Sequence, residues 1–266
     1  MVHMSKISNQ PPPRLTKNLL LTWRPGQVLT TRGLLALGIS RARASALKKD
    51  GTLAALGDGA YRKSIETPTW PAAIEALQRQ LMIRLHIGGR TALELQGTSQ
   101  YGRPGTQAPV WLFLDGKVNP PKWFRAHDWS ATIHIQRRNL FLGGADHLRA
   151  AEVDGFSVAI SRRERAILEA IELVGKYHRF GELMELFDGL TSLDPQVLQD
   201  LLERCTSIKV KRVFLFLARA SGHAWFAKLD ELKIDLGSGK REIVPGGRLD
   251  ARYLITVPPN AEEPDV

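Results

Sequence analysis

The sequence predicts an α+β protein, in which a small basic module of short helices and a hairpin precedes a larger mixed α/β domain. Three observations carry this. First, the positive charge is segregated. The first 63 residues hold eleven Lys and Arg against two Asp, whereas the whole chain carries 37 Lys+Arg and 27 Asp+Glu over 266 residues, so the remainder is almost neutral. Second, that basic stretch alternates helical spacings with a Gly-tipped strand pattern. Third, the composition changes after Thr67-Pro68, where longer apolar helices and strand runs begin. The length favours two domains, and 43% hydrophobic with 24% charged residues is ordinary for globular protein.

The expected boundaries are a flexible arm over 1–13, a basic module over 14–67, a second domain over 68–258 and an acidic tail over 259–266. Gln10-Pro11-Pro12-Pro13 cannot propagate a helix. Leu15–Trp23 has a helical apolar face and ends at Pro25-Gly26. Thr30 or Thr31 can cap a second helix carrying Leu34, Leu35 and Leu37, which Gly38 stops. Ser40 caps a third, running from Arg41 to Asp50. Leu53–Leu56 and Ala60–Lys63 can pair across Gly57-Asp58-Gly59.

In the second domain, Pro71 leads a helix to about Leu85, which Gly88-Gly89 ends, and a shorter helix carries Leu93 and Leu95. Residues 102–109 read as a loop. Val110–Leu114, Thr132–Ile135 and Phe156–Ile160 read as strands. Ser161-Arg162-Arg163-Glu164 reads as a capping box before the stripe Ala166, Ile167, Ala170, Ile171 and Val174. Asp194-Pro195 caps and opens a helix to about Cys205. Val210, Val213, Phe214 and Leu217 mark the next, closed by Gly222, and a turn at Leu236–Arg241 and a strand over Tyr253–Val257 follow.

Helix, short Gly turn, helix and Gly-tipped hairpin is the order of a winged helix-turn-helix, a DNA-reading module whose second paired helix presents its N-terminal residues to base edges. Here those are Ser40, Arg41, Arg43 and Ala44. An arginine fork matches guanine, and small residues let a helix approach closely. Lys48 and Lys49 suit phosphate. Arg62 and Lys63 flank the wing and could reach backbone or minor groove, and Thr30 and Thr31 could donate to phosphate. Without the Gly turn and hairpin, the same residues would read as solvated charges on a helical bundle.

The second domain shows no catalytic set. Gly237-Ser238-Gly239-Lys240-Arg241 fails the phosphate-loop pattern, because position 234 is Ile and position 241 is Arg. Asp230-Glu231-Leu232-Lys233 holds a carboxylate-x-Lys pair of the nuclease kind, with no identifiable acidic partner. The seven His are scattered, so no metal site or cofactor is expected. Lys209-Val210-Lys211-Arg212 reads as a solvated helix face or as a positive patch for an acidic partner or RNA. One cysteine excludes an intrachain disulfide, and the apolar runs are too short for a membrane span. The expectation is a soluble cytoplasmic protein with no membrane partner.

Several phrases in fixed order resemble the AbiEi antitoxins of bacterial abortive-infection systems. They are Ser161-Arg162-Arg163-Glu164-Arg165-Ala166-Ile167-Leu168-Glu169, Lys209-Val210-Lys211-Arg212-Val213-Phe214-Leu215-Phe216-Leu217, Gly222-His223-Ala224-Trp225, Leu236-Gly237-Ser238-Gly239-Lys240-Arg241 and Tyr253-Leu254-Ile255-Thr256-Val257-Pro258. The resemblance implies a two-part, non-enzymatic antitoxin of a type IV toxin–antitoxin system. Its winged helix-turn-helix would bind double-stranded operator DNA and repress its own operon. Its C-terminal antitoxin domain would counteract a nucleotidyltransferase-like toxin without needing a stable complex. Arg163, Lys209, Lys211, Arg212, Lys240 and Arg241, the cations within those phrases, are the expected toxin-antagonism residues. Two other functions fit the residues: a winged-helix repressor whose larger domain senses a small molecule, and a metal-dependent DNA nuclease using Glu231 and Lys233.

Overall fold

A computed structural model describes residues 23–97, 108–137, 139–144, 146–259 and 261. The 1–13 arm, all of the expected first helix except Trp23, the 102–107 part of the loop and most of the acidic tail lie outside the described residues. In chain order the first elements are β1 (Leu29–Thr30), α1 (Thr31–Ala36), α2 (Arg41–Lys49), β2 (Leu53–Gly57), β3 (Ala60–Lys63) and α3 (Trp70–Glu75). A π-helical turn, Ala76–Gln80, extends α3. Next come β4 (Leu85–Ile87), α4 (Gly89–Leu95), β5 (Val110–Leu114), α5 (Lys122–Ala126), β6 (Ile133–Gln136), β7 (Leu148–Val153) and β8 (Phe156–Ser161). The remainder is α6 (Arg163–Glu172), α7 (Phe180–Asp188), α8 (Pro195–Arg204), α9 (Ile208–Ser221), β9 (Arg248–Asp250) and β10 (Ile255–Val257). Among the described residues no helix is long and apolar enough to cross a membrane.

The elements form two compact units. The first comprises the described part of Met1–Arg84 with Lys117–Ala131 and Glu152–Val158; the second comprises Leu85–Gly116, Thr132–Ala151 and the described part of Ala159–Val266.

The first unit begins as a winged helix-turn-helix. Its sheet runs β1-β3-β2, all antiparallel. The Thr30 hydroxyl accepts from the Gly33 N–H and caps α1, and the Ser40 hydroxyl accepts from the Arg43 N–H and caps α2. Between them the chain makes a Schellman turn. Gly38 takes φ +76°, its N–H donates to the Leu35 carbonyl, and the Ile39 N–H reaches back to the Leu34 carbonyl. Leu34 and Ile39 then join Trp23, Leu29, Ala44, Leu47 and Leu53 in one core, with Tyr61 against it. The wing pairs Gly57 with Ala60, so the turn is the two residues Asp58-Gly59.

The helix from Pro71 ends earlier than its spacing suggests. It loosens into the π turn, the Leu81 N–H bonds the Ala76 carbonyl, and Met82 adopts φ +56°. Leu85 therefore opens β4 instead of closing a helix.

In the second unit the sheet order is β6-β5-β4-β8-β7, with β5 antiparallel to β4 and parallel to β6, and β4 parallel to β8. Residues Glu152–Val158, the tip of the β7–β8 hairpin, belong to the first unit. Helix α6 packs against α4, α8 and α9. Gly88-Gly89 starts α4 where the sequence suggested a stop, because the Gly89 N–H is drawn to the Glu169 carboxylate (3.1 Å). The capping box at Ser161 is absent. Arg162 is the N-cap, the Ser161 hydroxyl donates to Glu169 (2.7 Å), and Glu164 accepts from the Asp194 N–H (3.0 Å). The Asp194 cap on α8 and the left-handed Gly222 after α9 stand where the sequence placed them.

Candidate nucleic-acid interface

Helix α2 buries Ala44 and Leu47, which fixes its rotation about its own axis. The opposite side carries Arg41, Ala42, Ser45, Ala46, Lys48 and Lys49, all exposed. Arg41, Lys48 and Lys49 have no hydrogen-bond or ion-pair partner among the described residues, nor does exposed Arg32 on α1. The result is a row of cations on a slim helix face, mounted on a packed core. Arg43 is half-buried, close enough to Asp50 to help hold that carboxyl below its ordinary value behind the hydrogen bonds from Thr52.

Other predicted contacts are already occupied. Ala44 is 2% exposed and belongs to the core, not to the contact face. Thr30 is 1% exposed; its hydroxyl caps α1 and bonds the Gln80 amide oxygen (3.1 Å). Thr31 is half-buried and its hydroxyl turns to the Gly59 carbonyl. The Arg62 guanidinium donates to the carbonyls of Lys63, Ser64 and Glu66, and Lys63 donates to the Trp23 carbonyl (2.7 Å) beside Glu66. Both act as staples at the wing's base. Of the small residues expected to keep the helix slim, Ala42, Ser45 and Ala46 lie on the exposed side, as helical spacing requires once Ala44 and Leu47 face inward.

Beside Arg41 lies a groove of about 370 Å³, lined among others by Thr31, Arg32, the wing turn Asp58-Gly59, Pro121 and Trp123.

The predicted cations of the second unit divide into two kinds. Lys240 and Arg241 are exposed on the Gly237–Arg241 turn. Arg212, 1% exposed, donates to the carbonyls of Leu236 (2.7 Å), Gly239 (2.6 Å) and Leu254 (3.3 Å). Lys211 is buried and donates to the Asp235 carbonyl, while Lys209 reaches the carbonyls of Glu172 and Val174. Arg163 is half-buried and donates to the Gln96 carbonyl. The Lys209–Arg212 run is thus a set of internal ties and not a solvated face.

One polar cluster escaped the sequence reading. Glu169, 1% exposed, accepts from Ser161, the Gly89 N–H and Arg165 Nε (2.8 Å), and lies 2.8 Å from His86 Nε2. Burial pushes the Glu169 carboxyl up, but His86 and Arg165 outweigh it and bring it down to about 2. The i,i+4 spacing of Arg165 and Glu169 on α6 was the available signal. A second histidine, His178, is buried with Nε2 unpartnered among the described residues. Burial pushes it down to about 4, against the pull of Glu182 and aided by Arg90 and His134.

The nuclease pattern does not assemble. Glu231 sits in a 3₁₀ turn, accepting from Arg252 and the Tyr253 hydroxyl, and Lys233 pairs with Asp230. A cleft of about 750 Å³ is lined by Asp194, Asp200, Glu203 and Asp230 with Lys228 and Lys233. No cluster of three or more His, Cys, Asp or Glu able to hold a metal occurs among the described residues.

Two family models match the chain. One, described as the N-terminal domain of the AbiEi antitoxin, a transcriptional regulator, covers residues 14–103. The other, described as transcriptional regulator, AbiEi antitoxin, type IV TA system, covers residues 107–258. No curated protein matches. The fold is similar to the crystal structure of the RV2827C protein from Mycobacterium tuberculosis, with a TM-score of 0.58 and 14% identity over 92% of each chain. At that identity the likeness is one of fold alone.

Proposed function

The chain belongs to the AbiEi family, the transcriptional-regulator antitoxins of type IV toxin–antitoxin systems, and on that premise we propose that its basic module represses its own operon while its second part counteracts a nucleotidyltransferase-like toxin. The observation that carries the DNA reading is the unneutralised row Arg41, Lys48 and Lys49 on a helix whose other side is locked in the core. With α2 in the major groove, the Arg41 fork can take a guanine edge while Ala42 and Ser45 allow close approach. Arg43 supports the same end of the helix, and Lys48 and Lys49 neutralise phosphates. One module per chain reads one half-site, so a palindromic operator takes two chains.

For toxin antagonism the candidates narrow to Lys240 and Arg241, exposed on a turn that Arg212 holds from below, with Arg163 as a half-buried third. Lys209, Lys211 and Arg212 contribute by shaping that surface. Two measurements test the proposal. Operator affinity should fall in Arg41→Ala and weaken steeply with salt. Growth of cells expressing the toxin should be rescued by the wild-type chain and less well by the Lys240→Ala/Arg241→Ala variant. Unchanged operator binding sinks the first half, and a harmless toxin-gene product sinks the second.

A further inference from the structure

Residues Lys117–Ala131 belong to the first unit although they lie in sequence between two strands of the second unit's sheet. This excursion is packed, not draped. Trp123, Phe124 and Trp129 are buried, Trp123 stands edge-on to Phe124 and to Trp129, and the Trp129 indole N–H donates to the Phe124 carbonyl (2.7 Å). It is also seated on the wing. A Cβ placed on Gly57 would lie 2.7 Å from the Trp123 Cβ, so the strand and the excursion approach as closely as a glycine permits. Its Pro121 and Trp123 form one wall of the groove whose other walls are Arg41, Arg32 and the wing turn. His127 senses Arg62: burial lowers it, Asp128 opposes, and the Arg62 charge lowers it further.

The exposed charges of this piece are mostly basic. Lys117, Lys122 and Arg125 are exposed, against one exposed carboxylate, Asp128. Lys117 and Lys122 have no hydrogen-bond or ion-pair partner among the described residues, whereas Arg125 donates one N–H to the Pro120 carbonyl. Lys122 stands between the two groove residues Pro121 and Trp123. Asp58, on the wing turn, is the acidic group facing the same groove.

We propose that Lys117 and Lys122 extend the DNA-binding face beyond the helix-turn-helix, contacting phosphates that flank the half-site read by α2. The inference rests on the DNA-binding reading above and adds to it a second, non-adjacent stretch of chain. The case is the groove that the excursion's Pro121 and Trp123, next in sequence to Lys122, line together with Arg41, the packing that fixes the excursion to the wing, and the match of unpaired positive charge to a polyanion. Lysine is a compact point charge without a fork, which suits phosphate better than a base edge.

The test compares binding of a fluorescent operator duplex and a scrambled duplex across a salt series. The proteins are the full-length wild type, Lys117→Ala/Lys122→Ala, Arg41→Ala and, as a charge control in the other unit, Lys228→Ala. These are exposed positions, and circular dichroism checks that each variant is folded. The double variant should weaken binding to both duplexes by the same factor, on the order of tenfold, and reduce the salt slope by about 2. Arg41→Ala should instead lose preference for the operator. If the double variant binds like wild type or like Lys228→Ala while Arg41→Ala is impaired, the excursion is no part of the interface and the helix reading stands. If the double variant loses only operator preference, the contact is to bases and the phosphate proposal falls. If neither Arg41→Ala nor the double variant changes binding, the DNA reading itself fails.

Discussion

Two basic helices in this molecule look alike in sequence and are used in opposite ways. Helix α2 carries Arg41, Arg43, Lys48 and Lys49; helix α9 opens with Lys209, Lys211 and Arg212. On α2 the neighbours are mostly small, Ala44 and Leu47 face the core, Arg41, Lys48 and Lys49 stay in water, and Arg43 is half-buried. On α9 the neighbours are Val210, Val213, Phe214 and Leu215, all buried, and the cations turn inward to backbone carbonyls. The difference teaches that a run of positive charge reports its role through the apolar residues between the charges. Where these are bulky and continuous, the long stems are carried into the interior with them.

The largest effect should come from breaking the inward kind. Arg212→Ala leaves the carbonyls of Leu236, Gly239 and Leu254 without their buried donor, and should cost about 3 kcal/mol or more of stability in chemical denaturation. Arg41→Ala, by contrast, should leave stability within about 0.5 kcal/mol of wild type. If the two variants unfold at the same denaturant concentration, the contrast between the helices is wrong.

Glu169→Gln should be comparably costly at neutral pH, because it removes the charge that His86 and Arg165 enclose. The depressed carboxyl gives the sign. Its stabilisation is complete above the ordinary carboxylate range near 4.5 and drains away as pH falls toward about 2. In Glu169→Gln that acid-induced loss should shrink, which a denaturation series between neutral and acid pH would read.

His178 acts at milder pH. It is neutral when folded, so the unfolded chain binds the proton first as pH drops below 6.5, and stability falls until about 4. The span corresponds to roughly 3 kcal/mol at most. A His178→Gln variant whose stability has the same slope between pH 6.5 and 4 would show that another group titrates there.

Smaller still is the outward kind of cation. Arg41→Ala should cost about 1–3 kcal/mol at the operator, and Lys48→Ala should lower the salt slope by about 1 with little change in sequence preference. Equal losses on operator and scrambled DNA for both variants would erase the distinction between base and phosphate contacts along α2.

Local signals were legible and long-range ones were not. Thr30, Ser40, Asp194 and Gly222 begin or end helices through groups within a few residues, so their roles show in the chain. Ser161 and Gly88 carry equally good local signals that are overridden by one buried carboxylate, Glu169. The pieces Lys117–Ala131 and Glu152–Val158 join the first unit only because of tertiary packing, and no spacing announces that. In the candidate site, Arg41, Lys48 and Lys49 were legible from charge and helical phase. Arg62, Lys63 and Thr30 were not, because what removes them from the surface is hydrogen bonding at the base of the wing and to Gln80.

The π turn sets a ruler. Its last residue, Gln80, accepts from the Thr30 N–H and donates to the Val28 carbonyl, clasping the strand that leads into the helix-turn-helix. Winding Ala76–Gln80 as an ordinary α-helix of the same length would swing that amide by about 100° around the axis, away from its clasp. The seating of the helix-turn-helix is therefore keyed to the wide winding of this spacer, which takes up about one residue more than a plain helix would need.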